Sequence, residues 1–359
     1  MRLKRLRIDR LRCIDGLDLV LGEGWSAFVG ANGAGKTSLL EAVHLLSHGR
    51  SFRPATRDAL STIGSTGFVV HGEFERADGS LRRLGLARQG GRLEARLDGI
   101  DVSLGELVRA SAAICFEPGS HALIHGPAEE RRRALDWGVF HVEPDFLDDW
   151  RRYQRGLRQR NALLRSPDPI DGLAAWEHEM AVAGERVSRA REDYVAALRP
   201  LLDAILEEFV PELGTPRFGF ERGWREGGLA EAFVEARPRD RERGHSTRGP
   251  HRADWTIAFA AAPRREHLSR GQEKLCALAF LFAQAALHAQ RLGEWPLLCF
   301  DDLASELDHE HQRRLVERAR ASGAQVLVTG TELPQPLRTG ADGLTVFHVE
   351  HGRVGDPLL

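Results

Sequence analysis

The chain has 359 residues, enough for two domains or for one domain with a large insertion. Hydrophobic residues make up 42% of it and the net charge at pH 7 is −2, so the composition is that of an ordinary folded protein with no overall attraction to nucleic acid. Any DNA binding must therefore use a local arginine patch or a surface assembled by dimerisation.

The cysteines and the N-terminus carry no sign of secretion. The four cysteines lack C-x-x-C spacing and stand in apolar stretches, so we expect buried free thiols in a reducing cytoplasm: Cys13, Cys115, Cys276 and Cys299. The basic N-terminal residues alternate with apolar ones and form no signal peptide. The apolar run at 275–287 is too short to span a bilayer and predicts a buried helix. We expect a soluble cytoplasmic protein without membrane contact.

Residues 1–49 predict strands that lead into a phosphate-binding loop and its helix. The run GANGAGKTS, Gly30 to Ser38, fits G-x-x-x-x-G-K-[ST] between a strand-like WSAFV and an amphipathic LLEAVHLL. Backbone N–H groups of such a loop hold phosphates, the lysine reaches the β- and γ-phosphates, and the threonine hydroxyl binds Mg²⁺. We expect ATP to contact Gly30, Ala31, Asn32, Gly33, Ala34, Gly35, Lys36, Thr37 and Ser38.

Lysine usage supports this interpretation. Only three of the 50 lysine and arginine residues are lysine: Lys4, Lys36 and Lys274. A phosphate loop needs a compact ammonium, which a planar guanidinium does not replace. Gly49 is placed to end the helix that follows the loop.

The middle of the chain changes from strands to helices. From Phe68 to about Phe116, alternating segments between glycine-rich turns predict antiparallel strands. Two helical faces follow, and the second repeats at heptad spacing for about three heptads, which predicts an antiparallel helix pair or short arm. We expect SPDP at 166–169 to separate the helices, and Pro200 and PELGTP at 211–216 to end the helical section. The arginine-rich stretch 237–252 is predicted to be a mobile or DNA-facing loop, or equally a solvated linker.

An apolar strand, Leu297 to Phe300, ends in two carboxylates. Beside a phosphate loop, the first carboxylate is expected on the Mg²⁺ side and the second is expected to activate water. We assign these roles to Asp301 and Asp302, and we expect the metal ligands to be Thr37 and Asp301. The chain order of the motifs makes the pair more specific than two acids alone would be.

The run LSRGQ resembles the signature motif of ABC-type ATPases. In that class the motif begins a helix and presents Ser and Gly N–H groups to the γ-phosphate held by a partner protomer, which implies such a role for Ser269, Gly271 and Gln272. The catalytic set would be Lys36, Asp302 and Ser269. Ser305 to Asp308 resembles the D-loop, and Thr329 to Thr331 occupies the switch position. A simple helix N-cap at Ser269 is compatible with the same residues.

The chain as a whole resembles the RecF family, the bacterial recombination and replication-repair proteins related to SMC and Rad50 ATPases. The resemblance covers nearly the whole length and depends on stretches outside the motifs: HGRSFR at 48–53, GPAEERRRALDWGVFHVEPDF at 126–146, RQRNALLR at 158–165 and GPHRADW at 249–255. It implies an α/β fold, an ABC-type P-loop ATPase head with an antiparallel β subdomain and an inserted helical lobe. We place the head at 1–143 and 250–359, and the lobe with its short coiled-coil-like arm at 144–249. At 115–124 the chain departs from the family, which leaves the glutamine-loop sensor unassigned.

The resemblance implies a weak DNA-stimulated ATPase that acts as a switch with ATP and Mg²⁺. It implies dimerisation on ATP, binding of single- and double-stranded DNA near their junctions, and loading of recombinase with RecR- and RecO-type partners. The DNA-contact candidates are Arg50, Arg53, Arg57, Arg248 and Arg252. A transporter ATPase subunit is the alternative, but it has a much shorter gap between loop and signature. A short SMC- or Rad50-type chromosome protein would need longer coiled coils.

Overall fold

The computed structural model describes residues 1–53, 57–166, 172–225, 227–338 and 343–358. The strands are β1 (Arg2–Leu11), β2 (Ile14–Val20), β3 (Trp25–Val29), β4 (Gly67–Glu75), β5 (Leu81–Gln89), β6 (Arg92–Leu97), β7 (Ile100–Val102), β8 (Ala113–Phe116), β9 (Pro216–Glu221), β10 (Asp254–Phe259), β11 (Leu297–Phe300), β12 (Val326–Gly330), β13 (Leu344–Glu350) and β14 (Arg353–Pro357). The α-helices are α1 (Lys36–His48), α2 (Leu104–Arg109), α3 (Ala122–His125), α4 (Ala128–Val142), α5 (Phe146–Arg165), α6 (Leu173–Phe209), α7 (Leu229–Arg243), α8 (Arg270–Leu292), α9 (Leu303–Glu306), α10 (His309–Ser322) and α11 (Gln335–Arg338).

The chain forms two compact units, residues 1–120 with 278–359, and residues 121–277. The boundaries expected from the sequence, at 143 and 250, differ because α4 and β10 are bonded to each other within the second unit. The Arg131 guanidinium donates to both carboxylate oxygens of Asp254, at 2.6 and 2.8 Å, and the Trp255 indole donates to the Arg131 carbonyl. As expected, the mainly helical unit is inserted between the two parts of the other.

The unit formed by 1–120 and 278–359 contains a mixed sheet in the order β14-β13-β3-β12-β11-β8. All of its neighbouring strands pair in parallel except β13 with β14. The carboxyl ends of β3, β11 and β12 therefore meet at one edge, and this edge carries the phosphate loop, Asp301 and Thr329. Ligand sites of parallel sheets form at such edges.

The same unit contains an antiparallel sheet in the order β2-β1-β4-β5-β6-β7. The strands predicted after Phe68 are confirmed as far as β7, but 104–109 is helical and 113–116 joins the parallel sheet as β8. Helix α1 is buried along nearly its whole length, because residues of both sheets pack in one core around it. The helix predicted after the loop is confirmed, and its polar residues Glu41, His44 and Ser47 are buried with the apolar ones. The predicted end is confirmed: Gly49 caps α1 in the left-handed region, with φ 67°.

In the unit formed by 121–277, α5 and α6 are an antiparallel pair, as the heptad spacing predicts. Residue numbers fall on α6 as they rise on α5: Asp149 pairs with Arg186, and Arg160 pairs with Glu177. Between these ends the ring of Tyr153 packs against Gly184, where a Cβ would lie 3.1 Å from it. Small residues at such points let the two helices approach closely.

Two expectations for this unit are wrong. Pro200 does not end the helix, because α6 continues to Phe209 with Leu198, Leu202 and Phe209 buried, and packing of that face offsets the backbone bond that proline removes. The helix does end just before PELGTP, as expected. The stretch 237–252 is neither a free loop nor a solvated linker. It completes α7 and then folds back, and the fully buried Asp240 accepts bonds from Arg160 and Thr247.

The cysteines are free but not uniformly buried. Cys276 and Cys299 are buried, Cys115 is partly buried and Cys13 is exposed. Cys13 differs from the expectation because it stands in the short turn between β1 and β2. Within the described residues, α8 is the one helix long and apolar enough to cross a membrane, and 67% of its most apolar window is buried inside the protein. That burial is typical of a core helix and agrees with the predicted buried helix.

Candidate active site

The phosphate loop connects β3 to the first turn of α1, as the motif predicts. Gly35 occupies the N-cap position with φ 112°, a conformation that favours glycine, and it has no side chain with which to cap the helix. A capping side chain would satisfy the N–H groups of the first turn. Its absence at Gly35 leaves this helix end suited to an anionic ligand.

Lys36 lies buried inside the loop that precedes it. Its ammonium donates hydrogen bonds to the carbonyl oxygens of Gly30 and Ala31, both at 2.8 Å. Burial lowers the pKa of Lys36, and the charges of Asp302 and Asp301 oppose that shift. The lysine is thus held at the base of the loop with carboxylates close enough to affect its pKa.

Asp301 follows β11 and is 5% exposed. Its Oδ1 accepts hydrogen bonds from the Thr37 hydroxyl at 2.9 Å and from the Thr329 hydroxyl at 2.5 Å. Burial raises the pKa of this carboxyl, while the two hydroxyl donors and the Arg53 charge act in the opposite direction. A carboxylate and a hydroxyl side by side are hard oxygen donors of the type that Mg²⁺ binds.

Asp302 has a left-handed backbone, with φ 53° and ψ 39°, and stands at the N-cap of α9. A non-glycine residue in this region costs about 1–2 kcal/mol, although aspartate tolerates it better than most. The Asp302 N–H donates to the Thr329 hydroxyl oxygen at 3.1 Å, which fixes the strained turn. Strain of this kind concentrates at functional positions.

Lys36, Thr37, Asp301 and Asp302 line one pocket of about 600 Å³ in this unit, together with Arg12, Cys13, Asn32, Gly33, Gly35, Ser38, Arg53, Ala59, Ser61, Thr62, Ile63 and Pro118. Sequence reasoning gave Arg53 only a DNA role, but the structure places its exposed side chain at this pocket. Hydrogen bonds hold the segment 51–53 in place. The buried carboxylate of Glu41 accepts from the Ser51 hydroxyl and from the Arg12 guanidinium, and the Ser51 hydroxyl accepts from the Arg53 N–H.

Thr329 is the residue that sequence reasoning left without a role. Thr329 lies near the carboxyl end of β12, where ligands of parallel sheets bind, and this place in the strand is the signal that could have identified it. The sequence motifs mark 329–331 only as a switch position. Its side chain is 1% exposed, so its hydroxyl bonds are shielded from water.

The signature residues belong to the unit 121–277. Ser269 and Gln272 form a reciprocal capping box at the start of α8: the Gln272 N–H donates to the Ser269 hydroxyl at 3.3 Å, and the Ser269 N–H donates to the Gln272 side chain at 3.0 Å. Gln272 also donates to Glu212 at 3.1 Å. Gly271 lies between them, and an added Cβ there would meet only the Ser269 hydroxyl at 4.0 Å. The N-cap interpretation of Ser269 is thus confirmed.

The remaining arginine candidates are scattered. Arg50 is exposed, and the side chain of Arg57 lies outside the described residues. Arg248 is half-buried and Arg252 is exposed, and both line a second pocket within 121–277. Among the residues that the structure describes, no group of three or more His, Cys, Asp or Glu side chains could hold a metal ion.

Comparison with known proteins gives one consistent result. Residues 2–353 match the family described as the RecF/RecN/SMC N terminal domain. The chain is 46% identical over 361 residues to the DNA replication and repair protein RecF of Stenotrophomonas maltophilia (strain R551-3), covering 99% of each chain. It is 38% identical over 362 residues to the protein of the same name from Azotobacter vinelandii (strain DJ / ATCC BAA-1303), covering 99% of this chain and 98% of the other.

Solved structures agree. The recombination mediator protein RecF-ATPrS in the RecFOR pathway superposes with a TM-score of 0.88 at 25% identity, over 100% of this chain and 98% of that one. An SMC head bound to the C-winged helix domain of ScpA gives a TM-score of 0.59 at 16% identity over 99% and 96% of the two chains, which shows a shared fold. The predicted α/β ATPase-head fold is therefore confirmed, and the chain belongs to the RecF family of DNA replication and repair proteins.

Proposed function

We propose that this protein binds ATP at the pocket around Lys36 and hydrolyses it slowly, and that the ATP-bound form is a dimer that holds DNA during recombinational repair and replication-fork maintenance. One observation carries the proposal: the hydroxyls of Thr37 and Thr329 meet on Oδ1 of Asp301 beside the phosphate loop. Such a meeting of loop, carboxylate and hydroxyl is the arrangement that phosphoryl transfer needs.

Each residue has a distinct part in the proposed reaction. The loop 30–38 and the Lys36 ammonium hold the phosphates, and Thr37 with Asp301 would hold Mg²⁺, which supplies charge neutralisation when bound. Asp302 orients and deprotonates the attacking water, because it lines the pocket and its backbone is fixed by Thr329. Aspartate is shorter than glutamate, so we expect turnover well below about 10 s⁻¹, even with DNA.

The proposed dimer is driven by the γ-phosphate. Ser269, Gly271 and Gln272 at the start of α8 would contact the triphosphate bound by the second copy. ADP lacks that group, so the contact exists in only one nucleotide state, as a ligand-driven switch requires. The capping box keeps the Ser269 side chain in place before a partner arrives.

The biological setting is inferred from relatives. The solved RecF-ATP and RecF-ATPrS structures are described as parts of a RecFOR pathway. By analogy, we propose RecR- and RecO-type partners, binding near junctions of single- and double-stranded DNA, and help in loading recombinase at gaps. By the same analogy, we propose a cytoplasmic location.

Sedimentation and DNA binding in three nucleotide states test the proposal. The protein is studied without nucleotide, with ADP and with a non-hydrolysable ATP analogue, each with Mg²⁺. We expect dimers and tight binding to a junction substrate only with the analogue. Equal dimer content and equal DNA affinity in all three states would contradict the switch, and absence of ATP binding would remove the site.

A further inference from the structure

A second pocket, of about 1010 Å³, lies within residues 121–277. One wall is a single face of α6, made of Glu192, Val195, Ala196 and Arg199 at helical spacing. The opposite walls are two loops: 222–225 follows β9, and 247–252 precedes β10. The pocket exceeds the volume of a single ion and lies at the upper end of the roughly 300–1,000 Å³ typical of ligand sites.

The fold brings the two loops together by strand pairing. In the antiparallel pair of β9 and β10, Glu221 lies opposite Asp254, so both loops leave from the same end. The Gly249 N–H then donates to the Gly223 carbonyl at 3.2 Å. Gly223 has φ 97°, and a Cβ there would lie 2.3 Å from the Gly249 carbonyl oxygen. Only glycine at this position permits the contact.

The pocket is strongly basic. Five of its lining residues are arginine, namely Arg199, Arg222, Arg225, Arg248 and Arg252, against two carboxylates, Glu192 and Glu221. Among the described residues, none of the five forms an ion pair. Arg199, Arg222 and Arg252 donate only to backbone carbonyls.

Arginines elsewhere in the same unit behave differently. Arg131, Arg160 and Arg191 each form salt bridges with carboxylates at distances of 2.6 to 3.0 Å. The arginines of the pocket thus outnumber its carboxylates and, among the described residues, leave an excess of positive charge there. This charge is local, because the chain as a whole carries a net charge of −2.

Aromatic side chains add a second feature. The Arg222 guanidinium lies over the Trp224 ring, 4.8 Å from its centroid, and this cation–π contact orients the guanidinium. Trp224 is 7% exposed, and its indole N–H has no hydrogen-bond partner among the described residues. Phe220 is half-buried and also lines the pocket, so part of its ring is open to a ligand.

We infer that this pocket binds the sugar-phosphate backbone of single-stranded DNA. Guanidinium groups bind phosphate and carboxylate oxygens equally well by geometry. The open ring of Phe220 favours DNA, because a base stacks on an aromatic ring whereas an acidic peptide gains little from it. The inference deepens the proposed DNA binding by giving it a location, and it depends on that proposal.

The test removes two arginines whose side chains make no hydrogen bond within the described structure. The double variant Arg225→Gln with Arg248→Gln is compared with Arg155→Gln with Arg189→Gln, two exposed arginines of the same unit outside the pocket. Fluorescein-labelled oligothymidine, longer than the roughly 4–16 nucleotides of typical single-strand sites, is titrated by anisotropy at several salt concentrations with the ATP analogue. Labelled oligoglutamate serves as the acidic-peptide probe.

We expect the pocket variant to bind oligothymidine at least about tenfold more weakly, as loss of charge-assisted contacts predicts. The magnitude of its log–log salt slope should fall by about 1.4, since each single-strand phosphate contact contributes about 0.7. The control pair should match the original protein. Nucleotide affinity should be equal in all three proteins.

Other binding results would contradict the inferred site or the proposed DNA function. If the original protein binds oligothymidine and the pocket variant binds it equally well, the inferred site is wrong while the proposed DNA function stands. If the original protein binds no DNA in any nucleotide state, the proposed function fails as well. If the pocket variant loses only oligoglutamate binding, the pocket takes an acidic protein segment and the inference is overturned.

A measurement on the unaltered protein guards against misfolded variants. Phenylglyoxal modifies accessible arginines, and peptide mass spectrometry measures the modification of each one. Oligothymidine should protect Arg225 and Arg248 but not Arg155 or Arg189. Equal modification with and without the oligonucleotide at Arg225 and Arg248 would overturn the inference.

Discussion

Thr329 donates a hydrogen bond from its hydroxyl to Oδ1 of Asp301 at 2.5 Å. The same hydroxyl oxygen accepts the Asp302 N–H at 3.1 Å. One buried side chain on β12 thus fixes both acids that follow β11. Thr329 is therefore a positioning residue for the proposed hydrolysis, because it acts through the two aspartates.

Replacing Thr329 with valine keeps the shape and removes the hydroxyl. We expect ATP turnover to fall by roughly 10- to 100-fold, since small displacements of catalytic groups have effects of that size. ATP affinity should change much less, because the phosphate loop is untouched. Thr329→Ser retains the hydroxyl and should restore most activity. Phosphate release and nucleotide titration measure the two quantities, and equal turnover in the valine and serine variants would contradict the positioning role.

Asp302→Asn keeps the size and the left-handed backbone that asparagine also tolerates. It removes the proposed base, so we expect hydrolysis to fall by about 10²–10⁴-fold. ATP should still bind, and dimers should therefore accumulate with ATP itself rather than only with a non-hydrolysable analogue. Sedimentation with ATP measures this. Turnover equal to that of the original protein would remove Asp302 from the proposed mechanism.

Ser269→Asp separates the structural role of Ser269 from the proposed dimer role. Aspartate caps a helix as well as serine does, so α8 should begin as before and the protein should remain stable. Its negative charge would repel a γ-phosphate, and ATP-induced dimers should disappear while each copy still binds ATP. Ser269→Thr is the matched control and should dimerise. Dimerisation of the aspartate variant with ATP would rule out this contact.

The parts of the site that the sequence predicts well are local ones. The phosphate loop, the strand before it and the Gly49 cap depend on neighbouring residues and on backbone preferences, so a short motif contains the required information. The pairing of α5 with α6 was also predictable, because heptad spacing of apolar residues indicates that one helix face packs against another helix.

The parts that could not be predicted depend on contacts between distant residues. Thr329 reaches Asp301 only because β11 and β12 are adjacent in the sheet. The segment with Arg53 is held at the pocket by hydrogen bonds from the Arg53 N–H to Ser51 and from Ser51 to Glu41. Cys13 is exposed because of the turn that it occupies. Pro200 and the buried Asp240 show the same effect, since packing overrides the local signals of proline and of charge.

His251 gives a pH-dependent contribution to stability. Its Nε2 lies 3.1 Å from the Ser246 carbonyl oxygen and therefore carries the proton, while Nδ1 accepts from the Tyr153 hydroxyl at 2.6 Å. Burial lowers the pKa of His251 from 6.5 to about 4, and the charges of Arg252 and Arg132 add to the shift. The folded protein thus keeps this imidazole neutral where the unfolded chain protonates it.

Proton binding to His251 sets how the free energy of unfolding changes with pH. Between pH 6.5 and about 4 the unfolded state binds a proton that the folded state excludes, so the free energy of unfolding decreases as the pH falls. From pH 7 to pH 5, His251 should account for a loss of about 2 kcal/mol. His251→Gln should be less stable at pH 7 but should lose less stability on acidification. Urea unfolding at both pH values measures this, and equal losses in the two proteins would contradict it.

Arg53 is a DNA-contact candidate that also lies at the nucleotide pocket. The sequence marks it only as a DNA-contact candidate, yet it lines the nucleotide pocket and its charge opposes the raised pKa of Asp301. We therefore expect Arg53→Gln to weaken ATP binding. Because the side chain is exposed, the effect should be modest, about 3- to 10-fold, and should shrink as salt increases.

Arg50→Gln provides the matched control for Arg53→Gln. Arg50 is also exposed and three positions away, but it does not line the nucleotide pocket. The same charge is removed in both variants, so a general electrostatic effect would weaken ATP binding equally. We expect only Arg53→Gln to reduce ATP affinity at low salt, measured by titration with a fluorescent ATP analogue. Equal affinities in the two variants would return Arg53 to the set of DNA-contact candidates alone.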